Sequence, residues 1–249
     1  MPATTLPIPA AARAQLTSTG KLRAGINFSN QFLTTLGPNG EQGGVAVEFS
    51  RELAQRLGVP LEIIPYKSAG GLADSVSTGA WEISVLGDEP ERAKVIDFAT
   101  PLTELEATYL VPAGSTIRSV SEVDRPGVRI VSPAKAAYDL YLTRTIKNAK
   151  LVQIEGGKAA LEHFVKEKLE ALAGLKPALQ ETAPKVPGSR ILDGNFCVVR
   201  HTVGTPKGLD AAAAYLCDLV EDVKASGLVT QWIQKSGVKG LSAAPAAKK

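Results

Sequence analysis

A chain of 249 residues, 44% hydrophobic and 21% charged, is long enough for one large domain or two small ones of roughly 100–200 residues. That ordinary globular composition excludes disorder and collagen-like repeats. Twenty-eight basic against 25 acidic residues leave a net charge of +3 and no basic stripe interleaved with aromatics, so nucleic acid is not an expected partner. No run approaches the ~18 consecutive apolar residues of a membrane span, so no membrane insertion is expected. Two cysteines, Cys197 and Cys217, are too few for a disulfide framework or a metal set of about four ligands. They leave one bridge or, the reading the count favours, two buried thiols.

Met1–Gly20 has prolines at 2, 7 and 9, no leading charge, and Arg13 where an apolar stretch would stand in a secretory signal. As written, the chain shows no instruction to leave the cytoplasm, and residues 1–20 are expected to pack poorly. Lys21–Ile26 reads as a strand, and the glycine-rich 37–44 as a hairpin turn; it lacks the Lys-Ser/Thr of a phosphate loop. Val45, Phe49, Leu53 and Leu57 recur at i+4 with charged residues between them, an amphipathic helix that Gly58 should end. Val59–Pro65 is a strand, Gly70–Thr78 a short helix stopped by Gly79, and Glu82–Leu86 a strand covered on both faces. This β-α-β-α-β order in about 65 residues predicts a parallel sheet with right-handed crossovers.

The rhythm restarts with strands at Tyr109–Val111 and Val128–Val131, a helix over Ala134–Asn148, a strand at Lys150–Ile154, a helix over Ala159–Lys168 and a short strand at Glu170–Ala173. Helices over Leu209–Ser226 and Val229–Ser236 then precede an Ala/Pro/Lys-rich tail, 242–249, expected to be poorly packed. The fold class is therefore α/β with two lobes, each a mostly parallel sheet flanked by helices. A cleft between them would face the carboxyl ends of the strands, where open sheets bind ligands.

Three stretches carry a family resemblance: Gly44-Val-Ala-Val-Glu48 with Ala54-Gln-Arg-Leu-Gly58; Gly79-Ala-Trp-Glu-Ile83; and Pro90-Glu-Arg-Ala-Lys-Val-Ile-Asp-Phe98. In order and spacing they resemble the family 3 extracellular solute-binding proteins of ABC transporters, the polar amino-acid group with the type II periplasmic-binding fold. The chain is also similar to a proteobacterial subgroup whose members often begin without a clear signal peptide. The resemblance implies two lobes closing on a small ligand by hinge bending, with chain crossings near Val111–Ala113 and Cys197–Arg200. Lobe 1 would be 1–111 plus 199–249, and lobe 2 would be 112–198. It further implies a monomer with a small-molecule ligand, an ABC permease as partner, no cofactor, no metal, and a periplasmic location. With no signal peptide, a complete native chain would instead be cytoplasmic.

Within that frame Arg92 is the sharpest candidate. Family members use the matching arginine on the ligand carboxylate, which a planar guanidinium fork meets with two parallel hydrogen bonds. Its other reading is an ion pair with Glu91 or Asp97. Gly87 permits close backbone approach, and Asp88, just past a strand end, would receive a ligand ammonium or hydroxyl, or else cap the helix starting at Pro90. Asn27 and Phe28 follow the first strand where relatives stack an aromatic on the ligand, and Tyr66 follows the second; core packing is the alternative for both aromatics. In lobe 2, Ser132, Ala134, Lys135 and Ala136 occupy the turn that in relatives reads x-G-(T/S)-(T/S) and holds the carboxylate with backbone N–H groups at a helix N-terminus. For Lys135 the other reading is a solvated surface lysine. Many amino-acid binders also place an Asp after the short strand of lobe 2. Here Ala171-Leu-Ala-Gly174-Leu175 has no acid, with Gly174 its site position, so an amine must be met by Asp88 or be absent from the ligand.

The expected function is binding of a small carboxylate-bearing solute, an amino acid or related organic acid, by a substrate-binding protein rather than an enzyme. The alternatives are a cyclohexadienyl dehydratase-like enzyme on the same fold, with Asp88 or Glu89 as the acid, and an intracellular metabolite-sensing module. His163 and His201 read as structural or exposed, and no catalytic residue is assigned.

Overall fold

The computed structural model describes residues 6–247. Helix α1 (Ala10–Leu16) leads to β1 (Leu22–Asn27), β2 (Thr35–Leu36), β3 (Gln42–Gly43), α2 (Val45–Leu57), β4 (Leu61–Tyr66), α3 (Ala69–Asp74) and β5 (Ile83–Gly87). Next come β6 (Ile96–Val111), β7 (Arg129–Pro133), α4 (Ala137–Thr145), β8 (Lys150–Ile154), α5 (Gly157–Lys166), β9 (Ala171–Leu175) and α6 (Lys176–Thr182). The chain finishes with β10 (Arg190–Ile191), β11 (Cys197–Pro206), α7 (Asp210–Ala225), α8 (Leu228–Ser236) and β12 (Ser242–Ala243). Contacts divide it into two compact units, one running to Glu104 and resuming at Arg200, the other spanning Leu105–Val199. The first division falls inside β6, a strand that runs unbroken for 16 residues to Val111.

In the first unit β1 lies between β4 and β5, parallel to both, and β11 runs antiparallel along β5. The apolar stripe of α2 is buried in this unit: Val45, Phe49, Leu53 and Leu57 are wholly buried, each worth roughly 1.5–3 kcal/mol. Gly58 closes the helix in the left-handed conformation, as its position predicted. Trp232 of α8 meets Phe49 edge-on at 6.4 Å.

Both chain ends depart from expectation. Ala12 and Leu16 of α1 are fully buried, and the Gln15 side chain accepts the Ala212 amide at the start of α7. At the other end β12 pairs with Thr103 and Glu104 of β6, Leu241 and Ala244 are buried, and Lys224 donates to the Pro245 carbonyl. Two or three small apolar side chains suffice to dock each end, too few to register as periodicity. Residues 1–5 and 248–249 of those expected loose ends lie outside the described residues.

In the second unit β7 sits between β8 and β9, again all parallel, with the last part of β6 antiparallel on β9. The α4 helix is shorter than its 134–148 expectation at both ends. Lys135 takes a left-handed conformation with φ 57°, which breaks the start. The Asp124 carboxylate captures the amides of Lys147, Asn148 and Ala149 at 2.7–3.2 Å, which ends it.

The two units share one device. Arg23 at the start of β1 grips Glu82, just ahead of β5, through its own amide (2.8 Å) and its guanidinium. Arg129 at the start of β7 grips Glu170, just ahead of β9, in the same way at 2.8–2.9 Å. Each clamp ties the first and third strands of a β-α-β-α-β unit in register. Glu82 is buried, so its carboxylate depends on that partner. Cys197 and Cys217 are free and half-buried, where burial was expected. Among the described residues no helix is long and apolar enough to cross a membrane, and no cluster of metal-binding side chains occurs.

Candidate functional site

The candidate residues of the first unit gather at the carboxyl ends of β1, β4 and β5. Asn27 ends β1 and folds into a turn, its side-chain oxygen accepting the Ser29 amide (3.1 Å) and hydroxyl (2.8 Å). The Phe28 amide donates to the Tyr66 carbonyl at 3.0 Å, so the half-buried rings of β1 and β4 leave neighbouring strand ends. Tyr66 also packs on the cluster of Leu72, Trp81, Leu86 and Ile96. Gly87 ends β5 opposite His201 of β11.

Asp88 follows, with its amide on the Arg200 carbonyl at 3.2 Å. Burial raises the Asp88 carboxyl above the ordinary aspartate range, and the Arg200 charge draws it part of the way back. The short helical turn at Arg92–Lys94 has Glu91 at its N-cap position, and that side chain makes no capping bond.

Arg92 is only 4% exposed and donates from Nη1 to the Gly87 carbonyl at 2.9 Å. The partners of its alternative reading are engaged elsewhere, Glu91 with Lys94 and Asp97 with Lys207. Burial lowers the guanidinium pKa, an effect that Glu89, Asp74 and Asp88 oppose. The bond to Gly87 thus ties the buried cation to the loop that carries Asp88.

Sequence reasoning left His201 as structural or exposed, and the structure decides between the two. The ring is buried, with Nε2 3.4 Å from the Asn30 amide nitrogen and Nδ1 3.4 Å from the Thr103 hydroxyl. Because Asn30 can only donate from that nitrogen, Nε2 accepts and Nδ1 carries the proton. Burial, reinforced by the Arg92 charge, lowers the histidine to about 4. It is a neutral anchor between the Asn30 turn and β6.

The second unit changes the reading most. The turn after β7 does not offer free amides to an anion. Ala134 donates to the Ile154 carbonyl (2.8 Å), Lys135 to the Asp139 carboxylate (2.8 Å), and Ala136 to the Pro133 carbonyl (3.2 Å). The expected carboxylate grip by the 134–136 backbone is therefore overturned. An internal carboxylate, Asp139 at the third position of α4, already holds the central amide, with Gln153 donating to it at 2.7 Å. Asp139 is fully buried, and the buried Ser132 hydroxyl lies beside its carboxylate. Burial raises the Asp139 carboxyl accordingly. Ser132 thus lies inside the unit, not on a binding surface. Asp139 escaped the sequence reading, although an acid in the first turn of a helix is a capping signal. Gly174 is also reassigned: β9 is buried throughout, and a Cβ here would lie 2.9 Å from Leu179, so packing explains the glycine.

The sequence pattern of the bacterial extracellular solute-binding proteins, family 3, matches residues 22–237. The chain belongs to this family. No curated protein sequence matches it. Among solved structures, the solute receptor for L-cysteine of Neisseria gonorrhoeae is 20% identical, with 94% of this chain and 99% of that chain covered at a TM-score of 0.76. An amino acid ABC transporter substrate-binding protein, AbpA from Streptococcus pneumoniae bound to L-arginine, is 20% identical, with 89% and 96% covered at 0.73. The ancestral amino acid-binding protein AncCDT-1, a precursor of cyclohexadienyl dehydratase, is 21% identical, with 90% and 98% covered at 0.73. These likenesses establish the two-lobed periplasmic-binding fold, and family membership makes the chain a solute-binding protein.

Proposed function

We propose that this protein binds a small amino acid, or a closely related organic acid, as the substrate-binding component of an ABC transporter. It would work outside the cytoplasmic membrane as a monomer that delivers its ligand to a permease. The observation that carries this reading is the pairing of opposite charges at one strand end: Asp88 and Arg92 flank the same loop after β5, and Arg92 is bonded to that loop's Gly87. Arg92 would meet a carboxylate with its fork, Asp88 would take an ammonium or hydroxyl, and Phe28 and Tyr66 would cover the apolar part. An acid at Asp88 supplies what the stretch 171–175 lacks. With the amides of 134–136 internally bonded, Lys135 would contribute through its side chain alone. Closure would follow from bending at the two chain crossings, driven by tighter binding to the closed state.

The L-cysteine and L-arginine named with the solved relatives support an amino acid as the ligand class. A melting screen of the twenty α-amino acids and simple mono- and dicarboxylates tests this, with calorimetry on the hits. Stabilisation by one or a few amino acids is expected. Stabilisation by carboxylates without an amine would remove the role of Asp88, and no response to any compound would remove the reading.

A further inference from the structure

The second unit contains a cavity of about 440 Å³, lined by residues with no part in the site above. Its walls are three loops, 112–117, 125–128 and 168–170, which follow β6 and precede β7 and β9. Because β7 and β9 are parallel and β6 is antiparallel to β9, all three loops meet at the amino ends of β7 and β9. The Ser132–Ala136 turn leaves the opposite end of β7, roughly 15 Å of strand away. The floor is apolar and buried, formed by Ile117, Val128 and Leu169.

The rim is cationic. Arg125 and Lys168 stand exposed on it, beside the hydroxyls of Ser115 and Thr116. The acid on the rim, Glu170, is clamped by Arg129, and the nearby Glu167 faces Lys166. Ser115 and Thr116 use their oxygens as acceptors, from the Ile117 amide at 3.3 Å and from Arg125 at 3.4 Å. Their hydroxyl hydrogens are therefore directed elsewhere.

A second, independent feature points the same way. Lys168 has φ 49°, and among the described residues only it and Lys135 have positive φ without being glycine. It stands just past α5, where the Leu169 amide closes the helix on Phe164 at 3.1 Å, the position where glycine is the usual residue. A lysine at this position keeps a charged side chain on the rim where glycine would relieve the strain.

We propose that this cavity is a second binding site for a small molecule carrying an oxyanion group, a carboxylate or a phosphate. Lys168 and Arg125 meet its charge, Ser115 and Thr116 donate to its oxygens, and the floor takes its apolar part. The volume lies in the ~300–1,000 Å³ range of small-molecule sites and exceeds what a bare ion needs. The site is independent of the Arg92 reading.

The test uses the full chain at constant ionic strength, titrated with inorganic phosphate or with succinate and followed by amide NMR. Saturable shifts at Gly114, Gly127 and Lys168 are expected with at least one probe, and the probe that saturates tells a phosphate ligand from a carboxylate one. Lys168→Gly removes the charge and the backbone strain together. It should melt at or above the parent while the saturating concentration rises roughly tenfold or more, and Arg125→Ala should weaken binding similarly. Unsaturable shifts with both probes would mean an adventitious ion only, and saturation unaltered by Lys168→Gly would equally overturn the proposal.

Discussion

Acid should act on the first unit through one buried ring in particular. His201 lies between Asn30 and Thr103 and is held neutral, its pKa lowered from 6.5 to about 4 chiefly by burial and further by Arg92. The unfolded chain binds a proton near 6.5 that the folded chain refuses until about 4, so the stability is whole above 6.5 and is lost as pH falls towards 4. At 1.36 kcal/mol for each tenfold change in proton affinity, the full effect is about 3 kcal/mol, and about 2.5 kcal/mol of it falls between pH 7.5 and 4.5. In a chain of this size that corresponds to roughly 5–10 °C in melting temperature. Urea unfolding of the parent and of His201→Gln at both pH values measures it. The glutamine keeps a donor and an acceptor for the two neighbours and cannot titrate, so the difference between the two proteins cancels the carboxylates they share. The parent should lose about 2.5 kcal/mol more than the variant. Equal losses, or an NMR titration that places the His201 ring near 6.5, would refute the burial argument.

Other expectations concern packing, charge and binding. Gly25→Ala places a methyl group 2.6 Å from Leu72 and 3.0 Å from the Trp81 ring, so it should lower stability by about 1–3 kcal/mol; an unmoved urea midpoint would contradict that packing. Asp139 is protonated more readily in the folded chain than in the unfolded one, so its effect on stability worsens as pH rises through and above its ordinary 3.8. Asp139→Asn should therefore melt at or above the parent at pH 7.5 and lose that advantage near pH 4. A variant that melts lower at both pH values would show that the charge itself is needed. Arg92→Lys keeps the charge and loses the fork; affinity for the best amino acid from the screen should fall roughly tenfold or more, and an unchanged Kd would take Arg92 out of the site. Arg92→Ala removes a charge-assisted donor from the Gly87 carbonyl, which keeps only the Glu89 amide, so calorimetric melting of the empty protein should show a loss of about 1.5–3 kcal/mol.

Much of the fold was legible because its signals are local. The i+4 stripe of α2, its terminal Gly58 and the strand-helix rhythm each lie within a dozen residues, and the observed elements follow them closely. Among the strands that escaped, most of β6 and all of β11 carry Thr, Glu, Arg and Pro in place of an apolar run. They are strands because neighbours such as β5 and β9 offer them ladders. The same distinction runs through the site. Arg92, Asp88 and Phe28 could be singled out from motif and strand-end position. The loss of the 134–136 amides could not, because it needs Ile154 from β8 and the Asp139 side chain in place.

By itself the sequence determined the α/β class, the two repeated β-α-β-α-β units and the family, since these depend on periodicity, glycine placement and short motifs that neighbouring residues define. Only the tertiary structure decided where charge is buried and who satisfies it. The Arg23–Glu82 and Arg129–Glu170 clamps, the neutral His201 and the cationic rim around Lys168 join residues far apart in the chain. Desolvation and hydrogen-bond pairing act between groups that folding brings together, so sequence spacing holds no record of them.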